Sequence, residues 1–296
     1  MSEPTNPQAV RTAQLEAEWQ LFRATWLPII SSPYGLLSPT ALHWLDVEPQ
    51  TFDDVPGSWR LEPIDGTAEH RIVVRLDAAD GITVDGAPAE GDVIVLDPVS
   101  GSLRDVRHGA RVLTPTVFPP QTGQPAQYGV QVRDPEATAE RVRQGIPTYP
   151  YDPRWRGPAH FERYDERRPA QLHSIVEGLV KDLSLFGEVR FELLGQQHTL
   201  QVYAGPPHEL HIPFRDATNG DTTFAGSRLV FAPRPASAGG GAFDFEIDFN
   251  NSVNGPCGLT PHTTCALPPP GNTLPIAIEA GEQLPPWMKQ PSDWAR

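Results

Sequence analysis

Phe243-Asp244-Phe245-Glu246-Ile247-Asp248-Phe249-Asn250 is the stretch whose reading decides the fold class. Apolar and polar residues alternate without a break. In an extended chain Phe243, Phe245, Ile247 and Phe249 share one face, and Asp244, Glu246, Asp248 and Asn250 share the other. A helix would scatter the same residues around its circumference. The pattern predicts a half-buried strand. Same-face neighbours on such a strand lie about 7 Å apart, and carboxylates that close repel unless solvated, paired or bound to a cation. The polar face is read either as a solvated sheet surface or as the floor of a polar cleft.

Working outward, the same period recurs. Val189, Phe191 and Leu193 alternate with Arg190 and Glu192, and Leu200 and Val202 with Thr199 and Gln201, with Gly195-Gln196-Gln197 between them as a turn. Further strands are expected near 209–214, 226–232 and 243–249, and a last one at 274–279. Towards the N-terminus, Arg71–Leu76, Val93–Leu96 and Gln127–Arg133 read as strands, separated by the turn pairs Asp65-Gly66, Asp80-Gly81 and Asp85-Gly86. The 34 prolines suit turns and strand edges better than helix interiors. One helix stands apart over residues 8–30. Val10, Leu15, Trp19, Phe22 and Trp26 recur at near-helical spacing, and Pro28 is expected to end the helix. Its apolar stripe is expected to pack on the β body through Trp19, Phe22 and Trp26, docking on a partner being the alternative. Residues 134–158 read as a connection, 236–242 as a flexible loop and 285–296 as coil. The expected class is mainly β, with antiparallel strands in a sandwich or barrel arrangement and one N-terminal helix. The chain divides as 1–30, the helix; 31–145, a first β-rich region; and 146–296, a second.

Composition narrows the function. Among 296 residues, 23 Lys and Arg stand against 37 Asp and Glu, for a net charge of −14. A field of that sign repels phosphate backbones and anionic headgroups, so no nucleic-acid partner is expected. No apolar run approaches the length that spans a bilayer, so no membrane partner is expected either. The first ten residues carry no apolar signal core, and there are only two cysteines, Cys257 and Cys265. A cytoplasmic protein is the expectation. The phosphate-binding, dinucleotide-binding, zinc-protease and nucleophile-elbow motifs are absent.

The remaining constellations are local. Cys257-x4-His262-x2-Cys265 puts two thiols and an imidazole in nine residues, but lacks a tight knuckle and a fourth ligand, so no metal and no cofactor is assigned. Reduced packed thiols or a disulfide are the alternatives. His208-x2-His211 falls on opposite strand faces and does not favour a shared ion. The site expectation is that Arg215, Asp216, Asp248, Asn250 and Asn254 converge on one cleft at strand ends, where loops carry binding groups. Arg215 offers a planar fork for an anion, Asp248 a base, and the two Asn donors and acceptors. The competing account pairs Arg215 with Asp248 or Asp216 and has the Asn residues cap loop amides.

The strings PFRDATNGDTTFAGSRLV (213–230) and DFNNSVNGPCGLTPHTTCALPPPGNTLPIAIEAGE (248–282) carry a resemblance. With Phe214, Arg215, Asp216, Thr218, Gly220, Thr223, Phe224 and Arg228, then Asp248, Phe249, Asn250, Asn254, Pro256, Cys257, Cys265, Pro268, Pro269, Asn272, Ala280, Gly281 and Glu282, the second β-rich region resembles the bacterial domain-of-unknown-function family numbered 1684. SPYGLLSPTALHWL (32–45), Tyr128–Asp134 and Tyr151–Arg156 are similar to further family segments. The chain departs from the pattern at Val253, at Gly255 and at His262. The resemblance implies a residue set without a reaction: Arg215, Asp216 and Asp248 as catalytic candidates, and Asn250, Asn254, Arg228 and Asn272 as ligand-binding ones. The best reading is a protein that binds a small polar or anionic molecule in a cleft of the second β-region, a hydrolase-type enzyme being one form of it. The alternative is a non-catalytic binding or scaffold protein whose motif residues are structural.

Overall fold

The computed structural model describes residues 7–204, 206, 208–234 and 241–288. The loop expected at 236–242 and the end of the C-terminal tail lie largely outside them. Antiparallel strands in three sheets dominate, none closing into a barrel. The N-terminal helix α1 runs Pro7–Ile30. Pro28 does not end it, contrary to expectation. A proline removes one donor and crowds the preceding turn, and so near the end of a long helix that loss is local. Leu15, Trp19, Phe22, Arg23, Trp26 and Ile30 face inward, while Val10, Leu21, Leu27 and Ile29 stay exposed. No helix among the described residues is long and apolar enough to cross a membrane.

The chain forms two compact units, one of residues 30–143 and one of residues 1–29 with 144–296. The first unit contains β1 (Pro39–Trp44), β2 (Gln50–Phe52), β3 (Val55–Pro63), β4 (His70–Leu76), β5 (Ile82–Val84), β6 (Ala87–Pro88), β7 (Gly91–Asp97), β8 (Ser102–Leu103), β9 (Val106–His108), β10 (Arg111–Phe118) and β11 (Gln127–Arg133). They make two sheets, ordered β1-β11-β10-β9-β5-β6 and β2-β3-β4-β7-β8. Trp59, Ile72, Val74 and Val95 of one sheet and Val106, Leu113, Val130 and Val132 of the other share a single core, which is the sandwich alternative. Asp85-Gly86 makes the β5–β6 hairpin turn as expected. The helix α2 (Pro135–Gln144) replaces the first part of the expected connection. Its signals are a proline at the first helical position, Asp134 accepting the Glu136 N–H at 2.8 Å, and Arg141 and Arg143 in its last turn.

The second unit holds β12 (Arg156–His173), β13 (Val180–Leu193), β14 (Gln196–Ala204), β15 (Glu209–Phe214), β16 (Arg228–Pro233), β17 (Phe243–Asp248), β18 (Val253–Asn254) and the short helix α3 (Pro256–Leu259). They form one sheet ordered β17-β12-β13-β14-β15-β16-β18. The opening strand β17 is one edge and β18 the other, yet only residues 249–252 link them. Laid flat, seven strands would part the edges by about 29 Å, whereas so short a link reaches at most about 18 Å. The sheet must curl, and it closes on a core of Phe161, Phe191, Leu200, Phe214, Val230 and Phe249. Phe249 lies 5.5 Å from Phe191 and 5.2 Å from Phe214, ring to ring. The β13–β14 turn is Leu194-Gly195, one residue earlier than expected, with φ of 53° and 76°. Both angles lie in the left-handed region that a two-residue turn of this hand requires. The strand expected at 274–279 is not formed. That segment instead crosses the strand ends, tied by single backbone hydrogen bonds such as Leu274 N–H to Arg215 O at 2.8 Å.

Candidate functional site

The loop between β15 and β16 begins at Arg215 and Asp216. Asp216 opens a tight turn by accepting the Thr218 N–H at 2.6 Å, as an Asp at a turn start does. Its other oxygen receives Arg228 Nη2, and neither side chain has any exposure. Arg228 also donates to Ala280 O and, at 2.8 Å, to Ile278 O. A buried ion pair is sustained only when further hydrogen bonds satisfy it, and here those bonds fasten the 278–280 segment to the sheet. Asn272 is fully buried and acts as a piece of backbone. It accepts the Gln201 N–H at 2.8 Å and donates to Gln201 O at 2.8 Å and Pro213 O at 2.6 Å. Arg215 takes part through its backbone, its N–H donating to Asn272 O. Its guanidinium is half-buried, with no hydrogen bond or ion pair among the described residues.

The other expected residues lie against α1. The polar face of β17 sinks along its length, from Asp244 at 88% side-chain exposure to Asp248 at 9%. Asp248 caps the following turn, accepting from Asn250 N–H at 2.9 Å and Nδ2 at 2.8 Å, with Arg156 Nη1 3.6 Å away. Burial raises the Asp248 pKa above the usual carboxylate value, and the Asn250 bonds and the Arg156 charge only partly offset that. Tyr151 is pushed up to about 12 by burial and then by the Asp248 charge. Asn250 exchanges two bonds with the backbone of Asp152. Trp19 of α1 donates to Asn250 O at 2.9 Å and packs its ring 5.9 Å from Tyr151.

One turn further along α1, Arg23 and Trp26 both reach Glu282 Oε1, Trp26 at 3.2 Å. Glu282 has no exposure, and its second oxygen takes the Asn254 N–H at 2.7 Å and Asn254 Nδ2 at 3.2 Å. Gly281, at φ 73°, leads into it. A Cβ there would sit 2.4 Å from Ser252 O, so only glycine fits. Four buried polar atoms of Tyr151 and the 251–254 segment have no hydrogen-bond partner among the described residues: Tyr151 Oη, Asn251 Oδ1, Ser252 Oγ and Asn254 Oδ1.

The expected residues therefore divide. Arg228 joins Asp216, and Asn272 joins the backbone of Arg215. Asp248 and Asn250 form one pair, and Asn254 sits with Glu282. Asp216 and Asp248 share no hydrogen-bond or ion-pair partner among the described residues. Tyr151, Arg156, Ser252 and Glu282, with Arg23 of α1, were missed as site residues. The Ala280-Gly281-Glu282 string was the available signal. Cys257 and Cys265 are free thiols, and no group of three or more His, Cys, Asp or Glu among the described residues is placed to hold a metal ion.

Residues 143–283 match the family described as "Protein of unknown function (DUF1684)". No curated protein matches the chain. Among solved structures, the solution NMR structure of an uncharacterized protein from Haloarcula marismortui is similar at 23% identity and a TM-score of 0.40, over 49% of this chain and 78% of that one.

Proposed function

Residues 143–283 match the DUF1684 family, whose description names no reaction, and we propose a function from the geometry: the protein binds a small, uncharged polar molecule against the layer that α1 covers. The observation that carries this is the set of four partnerless buried atoms, Tyr151 Oη, Asn251 Oδ1, Ser252 Oγ and Asn254 Oδ1. Leaving a buried donor or acceptor unmade costs about 1–3 kcal/mol, and each such group calls for a partner that completes it. The guanidiniums of the layer are already paired. Arg23 is taken by Glu282, and Arg156 by Glu246, Glu18 and Asp248. Hydrogen bonding rather than net charge then selects the ligand, which enters when α1 lifts. Asp248, with its raised proton affinity, is an acid–base group at the layer's edge.

Native mass spectrometry of the purified protein, with a thermal-shift screen of sugars, polyols and amides, tests this. The expected result is one retained or stabilising molecule whose effect is lost in Tyr151→Phe and Ser252→Ala while both variants keep their fold. Folded variants as responsive as the parent would overturn the proposal, as would a parent that responds to nothing.

The second reading, a non-catalytic protein whose motif residues are structural, is favoured by the Arg228–Asp216 pair and by Asn272. Their hydrogen bonds are spent on holding the C-terminal segment to the sheet.

A further inference from the structure

Cys257 and Cys265 are the two cysteines of the chain, and the fold sets them side by side. The Cys265 N–H donates to Cys257 Sγ at 2.9 Å, and the Cys257 N–H donates to Cys265 Sγ at 3.3 Å. The Thr263 hydroxyl adds a third donor, to Cys257 Sγ at 3.0 Å. Both ends of the loop are anchored: Cys257 lies in α3, and Cys265 O accepts from Ile175 N–H at 2.9 Å and from Ser174 Oγ at 3.1 Å. Lys181, whose Nζ donates to Thr264 Oγ1 at 3.0 Å, brings a positive charge that acts on both sulfurs. We propose that the two cysteines form a reversible dithiol–disulfide site that reacts with small-molecule disulfides, Cys265 attacking and Cys257 resolving.

The roles follow from exposure and environment. Cys265 is part-exposed, while Cys257 is 1% exposed. Hydrogen bonds from Cys257 and from backbone and hydroxyl donors hold the Cys265 thiol below its ordinary range, with Lys181 helping, and burial pushes the Cys257 thiol up. A thiolate is the attacking form in exchange, so the lowered sulfur, on the less buried of the two residues, goes first. The Cys265 sulfur attacks one sulfur of the small disulfide. That bond breaks, and the departing thiolate takes up the proton Cys265 has lost. The Cys257 sulfur then attacks the Cys265 sulfur of the mixed disulfide, and the second small thiol leaves with the Cys257 proton. The protein dithiol is oxidised to a disulfide and the small disulfide is reduced to two thiols. Because each sulfur already contacts the other residue's amide, closure needs little backbone movement.

Oxidised glutathione with intact-mass detection tests the site. The folded parent is expected to lose two hydrogens without a lasting adduct, faster as the pH rises through a range below that of a free cysteine. Cys257→Ser is expected to hold one glutathione on Cys265, and Cys265→Ser none. Should Cys257→Ser fail to fold by circular dichroism, rapid alkylation and peptide mapping of the parent decides instead, with the Cys265 adduct preceding the internal bond. Two thiols persisting in the folded parent under excess oxidised glutathione would overturn the proposal. So would separate adducts on both residues with no internal bond.

Discussion

Asp248 shows how a residue's setting reverses its reading. In sequence it belongs to an alternating acidic face, and such faces are normally solvated. In the structure it is the point where that face dips beneath Tyr151 and α1. Burial is the largest influence on its proton, and it acts upward from 3.8. A carboxyl whose folded pKa exceeds its unfolded one stabilises the fold fully below the unfolded value, and loses that contribution as pH rises through the folded value. Asp248→Asn keeps an oxygen for the Asn250 donors and discards the charge. Its stability relative to the parent is therefore expected to increase as pH rises from about 4 to 7. Urea midpoints of both proteins across that range measure it, and a difference that instead shrank would mean the Arg156 contact outweighs burial. At this scale the sequence showed which letters matter better than what they do. Arg228, Asn272 and Glu282 were visible as motif members, but burial is a property of the whole sheet, and no local pattern marks an arginine as having no exposure.

Elements were legible where one of their faces is dry. Alternation located the end of β13 and the strands β14 and β17 because each sets apolar residues against the core. The long strand β12 was missed because its middle, Glu162-Arg163-Tyr164-Asp165-Glu166-Arg167-Arg168, is mostly exposed, and its ladder with β13 shifts register between Arg163 and Arg168. The segment at 274–279 misled in the opposite direction, since its apolar residues are buried without a ladder. The helix α1 was legible from its aromatic spacing. What the sequence did not disclose is its polar grip, with Arg23 set against a Glu282 that has no exposure. Removing one partner of a buried pair leaves the other uncompensated, so Arg23→Ala is expected to cost about 3 kcal/mol. Glu282→Gln removes the stranded charge, so the double variant is expected to be less destabilised than Arg23→Ala alone, with a coupling above about 1 kcal/mol. Chemical denaturation of the four proteins gives the cycle. Additive losses would show that the Arg23–Glu282 pair does not hold α1.

At the scale of the molecule, the division of the chain is set by which residues share a core, and sequence order conceals it. A helix read as a first segment belongs with residues 144–296, because its inward residues meet Tyr151, Phe231, Asn250 and Glu282. Residues 30–143 intervene with a core of their own, in which Trp59, Ile72, Val74, Val95, Val106, Leu113 and Val130 have no exposure. A unit that buries its own apolar surface should fold alone, whereas one whose buried carboxylate takes its cation from a distant segment should not do so fully. Expressed separately, residues 30–143 are expected to unfold in one cooperative transition. Residues 144–296 alone are expected to melt lower than the same unit in the full chain, by several degrees for each kcal/mol withheld. A synthetic peptide of residues 1–29 added in trans should restore part of that loss in proportion to its concentration, as any ligand of the folded state does. Calorimetry with and without the peptide distinguishes the cases. Full stability of 144–296 without it would show that the curled sheet satisfies Glu282 and the Tyr151 face by itself, and would move α1 from a part of the fold to a cover upon it.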